Sequence, residues 1–325
     1  MWCPECYIET DNKICPECGT ATKVVPEHGV YWCAECKIPI LKEPRENDKE
    51  EIDVVCPLCG HTASYLTSDL RPVFPEERLL LELLLRKEPN TYVDCSVWAA
   101  NSRYYIDGKS VLVGTKLFQR ADTDVLAEKL SKYRRDNSYD AFNHFIECFV
   151  CANEKRLHFI KNEAIEFVNS IAKKFPEEDI VVSFSGGKDS SATADVVLKA
   201  LSTPEIVHIF GDTTLEFPLT YQYETRFEEE HPDTPIWVSK NYDQNFYDVC
   251  EDIGPPARMM RWCCSMFKTG PITRLLNDAF PDKQILTFYG IRKCESVSRS
   301  KYSRISQNNE SVKIQKQTVA SPIFF

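Results

Sequence analysis

The spacing of apolar positions changes period along this chain, and each period predicts a different element. Over residues 122–174 the pattern is helical: Leu126, Leu130 and Tyr133 share one face, and Leu157, Ile160, Ala164, Phe167, Val168 and Ile171 share another. Beyond it come short continuous runs. Ile180-Val181-Val182, Glu205-Ile206-Val207-His208-Ile209-Phe210, and residues 236–239 and 284–289 read as buried strands separated by helix-length segments. That alternation predicts an α/β domain built on a doubly wound parallel sheet. Upstream, residues 76–87 read as a short helix behind Pro72 and Pro75. Residues 93–100 and 103–113 are rich in aromatic and β-branched side chains. Asp107-Gly108 lies between Tyr104-Tyr105-Ile106 and Val111-Leu112-Val113, a hairpin signal, so a small α+β module is expected.

One loop in this pattern carries chemistry. Residues 183–191 read Ser-Phe-Ser-Gly-Gly-Lys-Asp-Ser-Ser between the first strand of the α/β region and an apolar helical pattern through Ala192, Val196, Val197 and Leu201. A helix N-terminus offers unpaired amides and partial positive charge. Gly186 and Gly187 let the backbone approach an anion. Lys188 adds a charge, and Ser185, Ser190 and Ser191 add hydroxyls. The loop is expected to cradle phosphate. It is not a Walker A loop, because the four-residue spacer and the Gly-Lys-Ser/Thr ending are missing. Strand ends in such sheets share a crevice, so Asp212 and Thr213, which close the second strand, are expected beside it.

The chain has 325 residues, enough for one α/β domain and one or two small modules. Its net charge of −10 argues against a protein that coats nucleic acid. Residues 290–320 depart from that balance, with seven basic residues against Glu295 and Glu310, which suggests a local anion site. No apolar run reaches membrane-spanning length, and the Met1-Trp2-Cys3-Pro4-Glu5-Cys6 start is no signal peptide. A cytoplasmic location is the expectation.

Fifteen cysteines in such a chain point to metal and not to disulfides. Cys3/Cys6, Cys15/Cys18, Cys33/Cys36 and Cys56/Cys59 form four Cys-x-x-Cys knuckles, and two knuckles supply the four sulfurs of a closed structural zinc site. Sequential pairing gives Cys3, Cys6, Cys15 and Cys18 one ion and Cys33, Cys36, Cys56 and Cys59 another; a cross-braced pairing would use the same ligands. Iron can take four sulfurs as well, and without a redox task zinc is favoured. The nearby acidic run, Glu43 to Asp53, favours a protein contact over a phosphate backbone. A fifth pair, Cys148/Cys151, falls within the helical pattern, where it reads as a cluster ligand pair, a redox pair or two buried cysteines.

Four segments carry a family resemblance, which covers roughly residues 153–325. Ser185-Gly186-Gly187-Lys188-Asp189-Ser190 resembles the PP-loop of the ATP pyrophosphatases, which have the adenine nucleotide alpha-hydrolase-like fold. Asp212-Thr213-Thr214-Leu215-Glu216-Phe217-Pro218 is similar to the D-T-G-x-E-F-P segment of the phosphoadenosine phosphosulfate reductase family, with Thr214 in place of glycine. Arg261-Trp262-Cys263-Cys264 through Lys268 to Pro271, and Gly290-Ile291-Arg292-Lys293-Cys294-Glu295-Ser296 to Arg299, resemble two further motifs of that family.

The resemblance implies an enzyme that binds ATP or an adenylyl sulfate, with magnesium, and cleaves next to the α-phosphate. It implies nucleotide binding by Ser183, Ser185, Gly186, Gly187, Lys188, Asp189, Ser190, Ser191, Asp212 and Thr213. Lys188, Asp189, Lys268 and Arg292 would be catalytic, and Lys268, Arg292, Glu295 and Arg299 would hold the substrate's anionic end. Cys263 and Cys264 match half of a [4Fe–4S] ligand set whose other half is absent downstream. Either that tail is missing, or Cys148 and Cys151 substitute, or no cluster binds. The reductases' E-C-G-x-H nucleophile is absent too, and a missing C-terminal part is suspected. A reductase and an ATP pyrophosphatase that activates DNA, RNA or another acceptor for sulfur insertion both remain open, with a sulfur donor or reductant protein as partner. A non-catalytic nucleotide-sensing scaffold is the third reading. The implied domains are zinc ribbons at 1–70, the α+β module at 71–121, a helical linker at 122–174 and the nucleotide domain at 175–325.

Overall fold

The computed structural model describes residues 12–16, 18–21, 29–41, 54–67, 69–100, 103–113, 119, 121–133, 139–295, 299–307 and 316–324. Cys3, Cys6 and the acidic run at 43–53 lie outside them. The chain divides into two compact units, residues 26–160 and residues 161–325 together with 1–25.

In the first unit, β1 (Val30–Cys33) is paired by β2 (Ile38–Leu41) and β3 (Ser64–Thr67) in an antiparallel sheet. A second antiparallel sheet follows in chain order: β4 (Arg71–Pro72), β5 (Val97–Ala100), β6 (Arg103–Ile106) and β7 (Lys109–Leu112). The helix α1 (Pro75–Leu84) interrupts it, and α2 (Thr123–Tyr133) and α3 (Asp140–Ala152) come after it. The expected hairpin forms between β6 and β7. Asp107 and Gly108 both have positive φ, 46° and 78°, as a tight turn matched to strand twist requires. Gly108 is needed twice over, because a Cβ there would stand 2.4 Å from the indole nitrogen of Trp32. Trp32, Trp98, Ala100 and Tyr105 form the core beneath it.

The helix α4 (Glu154–Ala172) leads into the second unit. There β8 (Ile180–Phe184), α5 (Lys188–Leu201), β9 (Val207–Asp212), α6 (Pro218–Glu230) and β10 (Ile236–Lys240) alternate. Next come α7 (Phe246–Ile253), a π-helical segment (Cys264–Thr269), α8 (Gly270–Ala279), β11 (Ile285–Phe288), β12 (Ile305–Gln307) and β13 (Gln317–Ala320). The sheet order is β10-β9-β8-β11-β13-β12, parallel except for the β12 edge. The chain thus winds outward from β8 to β10 and returns to β8's other side at β11. The order reverses between β8 and β11, which is where a crevice opens in a doubly wound sheet.

Both sheet faces are covered. The predicted stripe Ala164, Phe167, Val168 and Ile171 on α4 packs with Val182, Phe184, Val197 and Phe288. On the other face Val181, Ile209 and Ile285 pack with Leu276 and Phe280 around α8. One residue of the basic segment belongs to this core and not to an anion site. Arg304 is 1% exposed, lies over the Phe167 ring at 3.7 Å and pairs with Glu163. It also donates to the Pro322 carbonyl at 2.8 Å, so its charge fixes the segment after β13.

Candidate functional site

The loop from β8 to α5 is where sequence and tertiary structure agree most closely. Gly186 takes φ 68°, the left-handed conformation that a side chain would resist. Gly187 is the N-cap of α5 and has no side-chain cap, so the first-turn amides keep their donors for another acceptor. The serine hydroxyls are engaged within the loop itself. Ser190 Oγ accepts from the Ser185 amide and from Ser185 Oγ, each at 3.2 Å, and donates to the Gly187 carbonyl at 2.9 Å. Ser191 Oγ donates to the same carbonyl at 3.1 Å and accepts from the Tyr223 hydroxyl at 2.9 Å. These hydroxyls shape the loop, which leaves backbone amides and Lys188 as the donors for a ligand. Ser183 is half-buried within β8, opposite Ile209 of β9.

The return strand brings the next pieces. Gly290 follows β11, and a Cβ on it would stand 2.6 Å from the carbonyl group of Asp189 and 2.8 Å from the Ser190 amide nitrogen. Only glycine lets this segment lie on the first turn of α5. Two residues later, Arg292 Nε stands 3.1 Å from Asp189 Oδ1. Lys188 Nζ reaches the same carboxylate at 2.8 Å. Lys188 and Asp189 therefore meet Arg292, over a hundred residues away in sequence, at the switch point. Asp189 is the anion that both cations hold.

Asp212 ends β9 and is 4% exposed. Burial alone would raise its carboxyl, but three donors outweigh that and hold it below the usual carboxylate range. They are Lys240 Nζ at 2.8 Å, the Tyr221 hydroxyl at 2.7 Å and the Thr214 amide at 2.7 Å. Burial, then Asp212, pushes Tyr221 up in return. Lys240 escaped the sequence reading, although it ends β10 in register with Asp212. A charged residue at a strand's C-terminal end was the available signal. Thr213 donates to Glu216 at 2.7 Å. Thr214 adopts φ 62°, the conformation for which the family's motif has glycine, and its hydroxyl accepts the Phe246 amide at 2.8 Å.

The π-helical segment packs against β9 and β10 and carries Lys268, which is exposed. Cys263 and Cys264 are half-buried at its start. Burial, and then Cys264, pushes the Cys263 thiol up, while an Arg261 Nη lies 3.7 Å from Cys264 Sγ. Glu295 pairs with Arg299.

Residues 179–324 match the family model described as the phosphoadenosine phosphosulfate reductase domain. This part of the chain carries the pattern of that domain. It is a reductase-like adenine-nucleotide-binding domain. Two uncharacterised proteins of Methanocaldococcus jannaschii are similar to the chain. One is 34% identical over 192 residues, or 59% of this chain and 38% of the relative. The other is 30% identical over 158 residues, covering 48% and 36%. The chain thus spans well under half the length of these relatives. Among solved structures, a phosphoadenylyl-sulfate reductase of Candida auris in a phosphate complex aligns at 15% identity and TM-score 0.36, over 50% of this chain and 72% of its own. An FMN adenylyltransferase of Candida glabrata aligns at 16% and 0.35, over half of each chain. No described helix is long and apolar enough to cross a membrane.

The reductase-like domain is preceded by four cysteines that could hold a metal ion. Cys33, Cys36, Cys56 and Cys59 come from the β1–β2 turn and the turn before β3, and their sulfurs all lie within 4.8 Å of one another. Four convergent thiols suit one tetrahedral zinc ion with no open position, the zinc ribbon expected from sequential pairing. Burial pushes Cys33 and Cys36 up, whereas the His61 amide lowers Cys59 to about 6. A cation bound there has to displace the protons that burial retains on Cys33 and Cys36, so its affinity should rise with pH. Each knuckle turns on a positive φ: Gly60 at 74° after Cys59, and Lys37 at 54° after Cys36.

Cys15 and Cys18 repeat the Cys56 knuckle closely. The Gly19 amide donates to the Cys15 carbonyl at 2.9 Å, as Gly60 does to Cys56, and Gly19 has φ 73°. Their expected partners, Cys3 and Cys6, are outside the described residues. Cys148 and Cys151 are not a buried pair: Cys148 is half-buried and Cys151 exposed.

Proposed function

We propose that the reductase-like domain binds an adenine nucleotide at the β8–α5 loop and cleaves it next to the α-phosphate. The substrate is ATP, activating an acceptor for sulfur transfer, or an adenylyl sulfate that is reduced. One observation carries this reading: Lys188, Asp189 and Arg292 meet on an uncapped helix N-terminus at the sheet's switch point. Backbone amides there would take the phosphate, and Lys188 and Arg292 would leave Asp189 for the charge that builds on the departing pyrophosphate or sulfate. Lys268, with Arg299 oriented by Glu295, would bind the anionic end of the substrate.

Asp189, released by its cations, is the better carboxylate for magnesium. At Asp212 the ion would have to displace Lys240, so Asp212 and Thr213 are assigned to shaping the nucleotide's surroundings. A sulfur donor or reductant protein is the expected partner in the cytoplasm. Cys263 and Cys264 provide thiols on the same rim, as half of a [4Fe–4S] set or as free thiolates.

The test is product analysis. With ATP and magnesium the full chain should yield AMP and pyrophosphate; with an adenylyl sulfate and a dithiol it should yield sulfite. Either product supports cleavage beside the α-phosphate and names the branch. Nucleotide binding with neither product leaves the scaffold reading. Lys188→Ala and Arg292→Ala should each lower turnover by roughly 100-fold if they stabilise the leaving group.

A further inference from the structure

We propose that α3 carries a second zinc-binding site, open where the four-cysteine site is closed, with His144 and Cys148 as anchoring ligands and Cys151 as the third. Residues 144, 148 and 151 stand one and two turns apart on one face of α3. Cys148 Sγ lies 3.9 Å from His144 Nε2. With a Zn–S bond of about 2.3 Å and a Zn–N bond of about 2.0 Å, two such ligands on a tetrahedral ion stand roughly 3.5 Å apart, a few tenths of an ångström less than the separation here. The pair is therefore close to chelating distance before any metal arrives.

The four-cysteine site has no use for these donors. Its set is complete with Cys33, Cys36, Cys56 and Cys59. Cys148 packs against that cluster's surroundings, but its sulfur turns to the imidazole. Packing does not account for Cys151 either. Cysteine is among the residues most often buried, and Cys151 is exposed on the helix face that also carries the exposed His144. Among the described residues, the group of three or more donors already within 4.8 Å of one another is the closed one, so Cys151 would have to rotate toward the His144–Cys148 pair to become the third ligand.

Two thiolates and an imidazole suit zinc over magnesium or calcium. Three protein ligands leave a fourth position for water or an incoming donor, which makes the ion exchangeable where the closed site's ion is structural. The inference is independent of the nucleotide chemistry.

Zinc counting tests it. The full chain is stripped of metal, dialysed against zinc buffered at micromolar free concentration and compared with His144→Gln, Cys148→Ser and Cys151→Ser. Wild type should hold one more zinc per chain than His144→Gln or Cys148→Ser, and Cys151→Ser should hold that ion more weakly. In cobalt-loaded protein, both variants should lose a mixed sulfur–nitrogen component and keep the intense four-sulfur charge-transfer bands. His144 is exposed, so its variant decides the matter if Cys148→Ser misfolds. Equal zinc counts in wild type and His144→Gln would overturn the proposal, as would saturation of the extra site only at millimolar zinc.

Discussion

Position 290 shows how a single missing atom assembles the site. A methyl there overlaps the Asp189 and Ser190 backbone, so Gly290→Ala must push the post-β11 segment off α5. We expect a loss of about 1–3 kcal/mol in stability, read by denaturant unfolding. Nucleotide affinity should fall roughly 10- to 100-fold, read by calorimetry, because Arg292 leaves its place. Gly187→Ala is the control: its methyl would meet Ser185 Oγ at an ordinary 3.6 Å, and stability should stay within about 0.5 kcal/mol. Thr214 makes the opposite argument. Its positive φ is costly for a β-branched residue, and its hydroxyl holds the Phe246 amide in return. Thr214→Gly and Thr214→Ala both lose the hydroxyl, but only glycine relieves the backbone. The glycine variant should be the more stable by about 1 kcal/mol in thermal unfolding.

Among the elements, β9 does two things. Its C-terminal end presents Asp212, and its middle buries His208. The His208 ring is fully covered, near Phe184 and Phe227, with Nδ1 against the Ile206 carbonyl at 2.8 Å. Nε2 has no partner, so the ring must stay neutral. Burial lowers its pKa from 6.5 to about 4. The folded state therefore binds this proton less readily than the unfolded chain. The stability at stake is fully present above pH 6.5 and is lost as pH falls from there toward 4. The loss amounts to about 3 kcal/mol at most. Denaturant titrations at stepped pH should show this acid limb, and His208→Phe should flatten it; an unchanged limb would mean that other groups dominate.

For the whole molecule, metal and nucleotide act on different units. The 26–160 unit places its cysteine cluster beside Ile38, Ile40 and Ala63, in segments too short to close a core of their own. Chelation or Cys33→Ser should expose this unit to limited proteolysis, with cleavage sites mapping within 26–160. The acidic balance of −10 coexists with cations gathered at one strand switch, so salt should weaken nucleotide binding while leaving the sheet intact.

Periodicity alone determined the main elements. Buried strands with both faces covered read as continuous apolar runs, and helices covering them read as stripes. The hairpin at Asp107-Gly108 was legible because positive φ is a local demand on residue type. The PP-loop was legible for the same reason. Tertiary structure alone decided the rest. Arg304 counted toward the expected anion site until the fold placed it over Phe167, because burial depends on neighbours that sequence does not order. Lys240 and Asp212 meet only through parallel register, and Arg292 reaches Asp189 only because the chain returns to β8's free side. Sequence fixes what each segment prefers locally; which charges face each other is settled by topology, since electrostatic pairing acts over distances in space and has no period along the chain.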